Sequence, residues 1–448
     1  MSNSQPSAAR SLPDATCLGC GCLCDDITLH VAGGRIVRAE RSCPMGERWF
    51  LVERPADRTA FTVDGRAADL EAACARAAKI LSDARAPLVM GLAGATCEAQ
   101  RLAVAIADRL GACVDAGNEM SAATTAAIQS VGLVTATLGE VRHRADLVIF
   151  WGADPATTHP RHFERYSLTC SGELTPRGRA DRTCVVVDCR RTPTADAADL
   201  FLQLKPGCDA AALDLLRALA AGGDWPEDAE VLKLTGVALA EWRALIERMK
   251  AARYGSLFFG SFDESLSLAS LTATLESLFT LVRDMNQHTR FVALPLGGPA
   301  NFAGAEQVLL WQTGFSSPVS FAAGYPQHDA AKHTAAAMLA AGEVDAVLIV
   351  SRDLVIDPVA DLPGPARAQL LKLPTVVLHG ADVGPPGYAA VTFTVATPGI
   401  HTGGTVFRSD GVPLPLRPAI ESPFPTAEAV LHRLQESLQL VRGVNKSN

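Results

Sequence analysis

Asp146-Leu-Val-Ile-Phe-Trp-Gly152 is an apolar run one strand long, opened by a carboxylate and closed by a glycine. It shows no in–out alternation, so both faces of such a strand must be covered, as in a parallel sheet flanked by helices. Thr183-Cys-Val-Val-Val-Asp188 repeats the pattern, and so do Ala86-Pro-Leu-Val-Met-Gly-Leu92, Ser256-Leu-Phe-Phe-Gly260, Val344-Asp-Ala-Val-Leu-Ile-Val350 and Pro374-Thr-Val-Val-Leu-His379. Between them the apolar residues recur at helical spacing. Leu70, Ala73, Ala77, Ile80 and Leu81 do so within 67–82, and 97–111, 209–221 and 265–285 are further helices. Strands alternating with helices predict an α/β fold with parallel sheets, whose ligands sit at the carboxyl ends of the strands. From 391 to 418 the chain turns Thr- and Val-rich, with Gly403-Gly404 and Asp410-Gly411, which predicts loops and short hairpins and no further crossover unit.

The chain has 448 residues, 48% hydrophobic and 20% charged, which suits several folded domains and excludes disordered or coiled-coil classes. Its 40 Lys and Arg against 48 Asp and Glu give a net charge of −8, without the basic excess of a protein built to bind nucleic acid or an anionic membrane surface. The longest stretches free of charge carry prolines or many hydroxyls and amides, so no membrane span is expected. Residues 1–14 are polar and lack an apolar signal core, and cytoplasmic residence is the expectation.

Five of the twelve cysteines lie between Cys17 and Cys43. Cys17-x2-Cys20-x3-Cys24, joined later by Cys43, puts four thiols on two loops around a hairpin that turns at Gly33-Gly34. Four such donors suit a [4Fe–4S] cluster or one zinc ion, and a vestigial site of free thiols is the third reading. Cys22 needs no role. Cys74, Cys97, Cys113, Cys170, Cys184, Cys189 and Cys208 read as small core residues.

The strand-end segments Trp151-Gly-Ala-Asp-Pro-Ala-Thr-Thr-His-Pro160 and Asp188-Cys-Arg-Arg-Thr-Pro-Thr-Ala-Asp196 form a second candidate site. Gly152 permits close backbone approach, Asp188 suits ribose hydroxyls, and Arg190 or Arg191 suits phosphate; a well-capped loop with solvated charges explains the same residues. His159, Arg161, His162 and Arg165 are either catalytic or loop-ordering. No Gly-x-Gly-x-x-Gly, Walker, Gly-x-Ser-x-Gly or His-Glu-x-x-His sequence is present. Gly403-Gly404-Thr405 is open to a ligand approach or an ordinary turn.

Taken in order, several segments resemble the B subunit of formylmethanofuran dehydrogenase, a relative of the molybdopterin oxidoreductases. They are Cys17-Leu-Gly-Cys-Gly-Cys-Leu-Cys-Asp-Asp-Ile27, Cys97-Glu-Ala-Gln100, Thr137 through Gly152, His159-Pro-Arg-His162, Val187 through Ala195, Leu204-Lys-Pro-Gly-Cys-Asp209 and Trp311-Gln-Thr-Gly314. The resemblance runs nearly end to end. It implies a small Cys-rich domain (1–60), a discontinuous α/β domain (61–118 and 286–425), a second α/β domain (119–285) and a C-terminal helix and tail (426–448). It also implies a [4Fe–4S] cluster on Cys17, Cys20, Cys24 and Cys43, and a molybdenum or tungsten pterin held between the α/β domains.

The family's metal ligand is a cysteine or selenocysteine, followed by a histidine, shortly before a Gln-x-Val-Gly sequence. Counted back from Gln129-Ser-Val-Gly132, Met120 and Ser121 stand at those two positions. A neutral thioether cannot supply thiolate charge to a high-valent metal, so the resemblance implies no catalytic residue and no Mo/W-bispyranopterin here. Asp154 stands where the family has asparagine. Gly152, Asp154, His159, Asp188, Arg191 and Lys205 then line a vestigial pterin-type or carrier cleft.

A chain of this family without redox chemistry is similar to the corresponding component of the bacterial formyltransferase/hydrolase complex of one-carbon oxidation. The implied partners are an A-type formyl hydrolase subunit, a C-type subunit, a D-type formyltransferase subunit and the shared carrier methylofuran. The alternative is an active Mo/W-pterin formylmethanofuran or formate dehydrogenase subunit.

Overall fold

Leu147–Trp151 is the middle strand of a five-stranded, wholly parallel sheet, ordered Leu200–Gln203, Thr183–Asp188, Leu147–Trp151, Tyr254–Phe259 and Arg290–Pro295. Its lack of alternation has a direct cause. Leu147, Ile149 and Trp151 enter one hydrophobic core, while Val148 and Phe150 enter another on the opposite face. The first core is closed by the helices Asp209–Ala220, Leu239–Ala251 and Leu268–Met285, the last capped by Ser267.

These observations come from a computed structural model, which describes residues 9–117, 119–223, 227–260, 262 and 266–445. Contacts divide the chain into two units. The sheet above belongs to the unit Glu119–Gly297 with Ser409–Val412; the other unit takes in Met1–Asn118, Gly298–Arg408 and Pro413–Asn448.

In this other unit, Cys113–Asp115, Pro87–Met90, Ala346–Ile349, Thr375–Gly380 and Val391–Val395 run parallel, and short antiparallel strands flank them in an eight-stranded sheet. Val391–Val395 corrects the expectation of loops from 391 onward: it is a buried sheet strand. Thr392 and Thr394 disguised it. Their hydroxyls are satisfied, Thr392 Oγ1 lying 2.6 Å from Thr62 Oγ1 and Thr394 Oγ1 donating to Thr59 O at 2.9 Å, so the strand stays buried at no cost in unpaired polar atoms. The hairpin Gly404–Phe407 with Pro413–Leu416 follows as expected.

The Cys-rich segment is a three-stranded antiparallel sheet, Arg10–Ala15, Ile27–Ala32 and Arg35–Glu40. Gly33 and Gly34, both at positive φ, make the two-residue turn that β-branched or bulky residues would strain. Cys74, Cys97, Cys113, Cys170 and Cys184 are buried, but Cys189 and Cys208 lie outside helices and strands and are half-buried, which corrects their reading as core residues. Among the described residues no helix is long and apolar enough to cross a membrane.

Candidate functional site

Cys17, Cys20, Cys22 and Cys24 occupy the loop between the first two strands, and all are buried. The loop closes on itself through Cys17 N–H donating to Cys24 O at 2.9 Å. Cys43 caps the helix Pro44–Leu51, its Sγ accepting from Gly46 N at 3.5 Å, while Gly19 N donates to Cys17 Sγ at 3.3 Å. Gly46 is where the helix meets the loop. A Cβ there would sit 2.9 Å from Cys17 Sγ and 3.8 Å from Cys43 Sγ, so only glycine lets the first helical turn approach both sulfurs.

Burial pushes the Cys17 thiol well above its ordinary range, and Cys20, Cys24 and Cys43 each push it further. Cys43 is raised mainly by burial, with Cys20 and Cys24 adding; Cys22 is raised first by its hydrogen bonds with Cys20 and Cys24. The four thiols therefore repel one another's ionisation, and a bound cation is what would offset that repulsion. The donor set is all sulfur, with backbone N–H groups aimed at two of the sulfurs, and it fits an iron–sulfur cluster in chemistry and in burial. Among the described residues no three or more His, Cys, Asp or Glu side chains close around a single ion position.

In the second unit, register places Trp151 beside Val187 and Phe259, so the ends of three strands form one edge. Gly152, at φ 55°, turns the chain there, its N–H donating to Val187 O at 2.9 Å. Asp154 Oδ1 accepts from Thr194 N at 3.1 Å and Thr194 Oγ1 at 2.5 Å, which ties its carboxylate to the neighbouring strand-end loop. Asp188 Oδ1 accepts from Arg190 N at 2.8 Å. Arg191 pairs with Asp196 at 2.8 Å and lies over Phe201, and Lys205 donates to Lys233 O. Gly152, Asp154 and Asp188 thus gather at the strand ends, while Arg191 and Lys205 serve local structure.

His159 and His162 are both buried. Thr158 Oγ1 donates to Asp154 O at 2.9 Å and lies 2.8 Å from His159 Nδ1, while His159 Nε2 is buried without a hydrogen-bond partner. Burial pushes His159 down to about 4, against the Gly297 backbone. His162, edge-on to Phe258 at 4.7 Å and bonded through Nδ1 to Ser167 Oγ at 2.9 Å, is pushed to about 3 by burial, with His159 adding. Both rings are neutral at physiological pH.

Met120 and Ser121 lie in the helix Glu119–Val131. Met120, Ala123, Ala127 and Val131 fall on one helical face and pack into the core of the unit, where this helix lies against Leu268–Met285. The Met120 thioether, at the position the resemblance assigns to the family's metal ligand, is partly buried and packs against that core. Ser121 is buried one position along. Gly404 is a packing glycine: a Cβ there would meet Thr96 Cγ2 at 2.5 Å, and Thr405 N donates to Glu98 Oε2 at 3.0 Å.

Sequence reasoning missed a third polar group, at the strand ends of the other unit. Asp353 follows Ala346–Ile349, Asp382 follows Thr375–Gly380, and His401 lies beyond Val391–Val395. Asp353, pushed up to about 6 by burial and then by Asp382, neighbours Asp382 around Gly380, whose Cβ would lie 2.2 Å from Asp382 Oδ1 and 3.6 Å from Asp353 Cβ. His401 is pushed down to about 4, by burial first and then by Arg54, against Asp382. The rule that flagged Asp154 and Asp188, a polar residue just past a buried strand, would have found both aspartates.

No protein-family model matches the chain. It is 34% identical over 418 residues to the B subunit of the tungsten-containing formylmethanofuran dehydrogenase 2 of Methanocaldococcus jannaschii, spanning 92% of this chain and 94% of that protein. It is 30% identical over 363 residues, 77% of this chain and 87% of the relative, to the B subunit of the formyltransferase/hydrolase complex Fhc of Methylorubrum extorquens. The crystal structure of that organism's FhcABCD complex with methylofuran contains a chain that superposes with TM-score 0.68 at 29% identity, over 86% of this chain and all of that one. Acetylene hydratase from Pelobacter acetylenicus shares the fold, with TM-score 0.61 at 12% identity over 96% of this chain and 69% of that one.

Proposed function

The chain belongs to the family of formylmethanofuran dehydrogenase B subunits, and from that premise we propose that it is a non-redox, structural member of a cytoplasmic formyltransferase/hydrolase complex. In this reading the complex passes a formyl group from formyl-tetrahydromethanopterin to methylofuran and then adds water across the formyl–nitrogen bond, releasing formate. A D-type subunit carries out the transfer and an A-type subunit the hydrolysis, with a C-type subunit completing the assembly.

The observation that carries the reading is the place of Met120. A pterin-bound molybdenum or tungsten needs a thiolate or an equivalent anion, whereas Met120 offers a thioether packed with Ala123 and Ala127. Asp154 and Arg191 add to it, since the Asp154 carboxylate would repel a pyrophosphate and Arg191 is paired with Asp196. Cys17, Cys20, Cys24 and Cys43 would hold an iron–sulfur cluster. Such a cluster would supply one-electron transfer or a cross-link between the two loops. Cys17, Cys20 and Cys24 would bury most of it, and the Gly19 and Gly46 N–H groups would donate to its Cys17 and Cys43 ligands.

A second reading is favoured by the 34% identity to a tungsten-containing relative: an active dehydrogenase subunit whose metal is held by another group. Elemental analysis of the purified native complex for iron, zinc, molybdenum and tungsten, with a pterin assay on the same sample, separates the two. Iron without molybdenum, tungsten or pterin is the expected result. Stoichiometric molybdenum or tungsten with pterin would replace the structural reading by the redox one.

A further inference from the structure

The helix that sets Cys43 is held at its far end by a side chain from beyond it. Cys43 is the N-cap of Pro44–Leu51. Arg54 Nη2 donates to Trp49 O at 2.7 Å and Nη1 to Val52 O at 3.1 Å, taking up carbonyls of the last turn and of the residue after it, which lack partners within the helix. The guanidinium also lies over the Trp49 ring, 5.9 Å from its centroid, and Trp49 is buried. A cation here is well placed against the negative end of the helix dipole.

Arg54 is itself largely out of water: its Nε is buried without a hydrogen-bond partner, and no carboxylate forms a direct ion pair with it among the described residues. A buried guanidinium needs compensating charge at some distance. Asp382 and Asp353 supply it from the strand ends and favour its charged form against burial. Both are fixed by backbone donors, Asp382 Oδ2 by Leu354 N at 2.9 Å and Asp353 Oδ1 by Val355 N at 2.8 Å and Ile356 N at 2.9 Å. Asp382 Oδ1 is left buried and unpartnered, like Arg54 Nε. The arginine therefore holds the end of a short helix directly while it feels, at a distance, two anchored carboxylates beyond the strand ends of the same unit.

We propose that Arg54 is the positioning residue of the cysteine site, holding the helix Pro44–Leu51, and with it Cys43, in place against Asp382 and Asp353. Eight residues make only two turns, too few to hold a helix in register by itself. With Gly46 closely packed on Cys17 Sγ, a small rotation of the helix moves Cys43 relative to Cys17. The proposal rests on the reading of Cys17, Cys20, Cys24 and Cys43 as a metal-holding set.

The test is pulsed N-ethylmaleimide labelling of the metal-free full-length chain, in its complex where the complex is needed for solubility, read cysteine by cysteine by mass spectrometry. Cys74, fully buried in the same unit, is the internal reference for global unfolding. Arg54→Met, which keeps apolar bulk and loses the charge and donors, is expected to raise labelling of Cys43 and Cys17 about tenfold with Cys74 unchanged. Arg54→Lys should recover part of the protection. Asp382→Asn should give a smaller rise, and adding it to Arg54→Met no further one, because the two act through one interaction. In iron-loaded protein, the same variants should lose visible absorbance to a chelator in the same rank order.

Unchanged labelling of Cys43 in both Arg54→Met and Asp382→Asn overturns the proposal, and so does an equal rise at Cys74. Where Arg54→Met fails to fold, Asp382→Asn decides by the same criteria. A wild-type chain that takes up neither iron nor zinc sinks the metal-holding reading, while the labelling still decides whether Arg54 positions the helix.

Discussion

The cysteine site and the strand ends around Asp154 are both built from residues that the family resemblance marks as cofactor-binding, and they use their polar atoms in opposite ways. Around Cys17 and Cys43 the thiols lie close enough to oppose one another's ionisation, and Gly46 lets the first helical turn approach the Cys17 and Cys43 sulfurs. Around Asp154 three charges have local partners: Thr194 for Asp154, Asp196 for Arg191, a backbone carbonyl for Lys205. Beyond them, Met120 fills core. Thiols that oppose one another's ionisation suit a bound cation, whereas charges paired locally hold the strand-end loops together. His159 Nε2 and His162 Nε2 are the exceptions in the second region, buried ring nitrogens without hydrogen-bond partners.

Breaking the cysteine side should give the largest effects. Cys17→Ser removes a donor, and Gly46→Val puts bulk 2.9 Å from Cys17 Sγ. Either should lower iron retention about 100-fold or more, measured as iron per chain after chelator challenge, with little change in the melting of the second unit. Equal loss of both would mean that the two regions are not independent.

Acid tests the second unit. His159 has a folded value of about 4, below its ordinary 6.5, so the unfolded chain binds the extra proton between them. Its neutral burial leaves stability intact above pH 6.5, and stability should fall by about 3 kcal/mol as pH drops to 4, with His162 adding in the same direction. His159→Gln should flatten that slope in urea melts taken across the range. Asp353 gives the opposite sign: its raised value means the folded chain holds the proton longer, so its term weakens stability as pH rises from about 4 towards about 6.

Asp154→Ala should cost about 1–3 kcal/mol, by leaving the Thr194 donors unpaired, and should not alter iron content. The smallest effect is expected at Met120. Met120→Leu should shift stability by less than about 1.5 kcal/mol, and Met120→Cys should bring no molybdenum or tungsten with it. Metal gained by Met120→Cys would erase the contrast between the two regions.

Much of the architecture was legible in local pattern. Leu147–Trp151 and Thr183–Asp188 are buried on both faces, as continuous apolar runs of strand length between helices imply. Val391–Val395 was hidden because Thr392 and Thr394 look solvent-facing until Thr62 and Thr59 O are placed beside them. The gathering of Cys17, Cys20 and Cys24 follows from a spacing of a few residues, and Cys43 was legible through its place in the Cys-rich segment. Gly46 was not, because its role is an approach to a sulfur twenty-nine positions away in the chain.

The residues by themselves determined the fold class, the cysteine set and the absence of a thiol at Met120, because these depend on identity and on short-range periodicity. Only the tertiary structure decided which polar groups are already satisfied. Asp154 meets Thr194 across forty residues, and Arg54 feels Asp382 and Asp353 across some three hundred, separations over which one-dimensional pattern carries no information about distance.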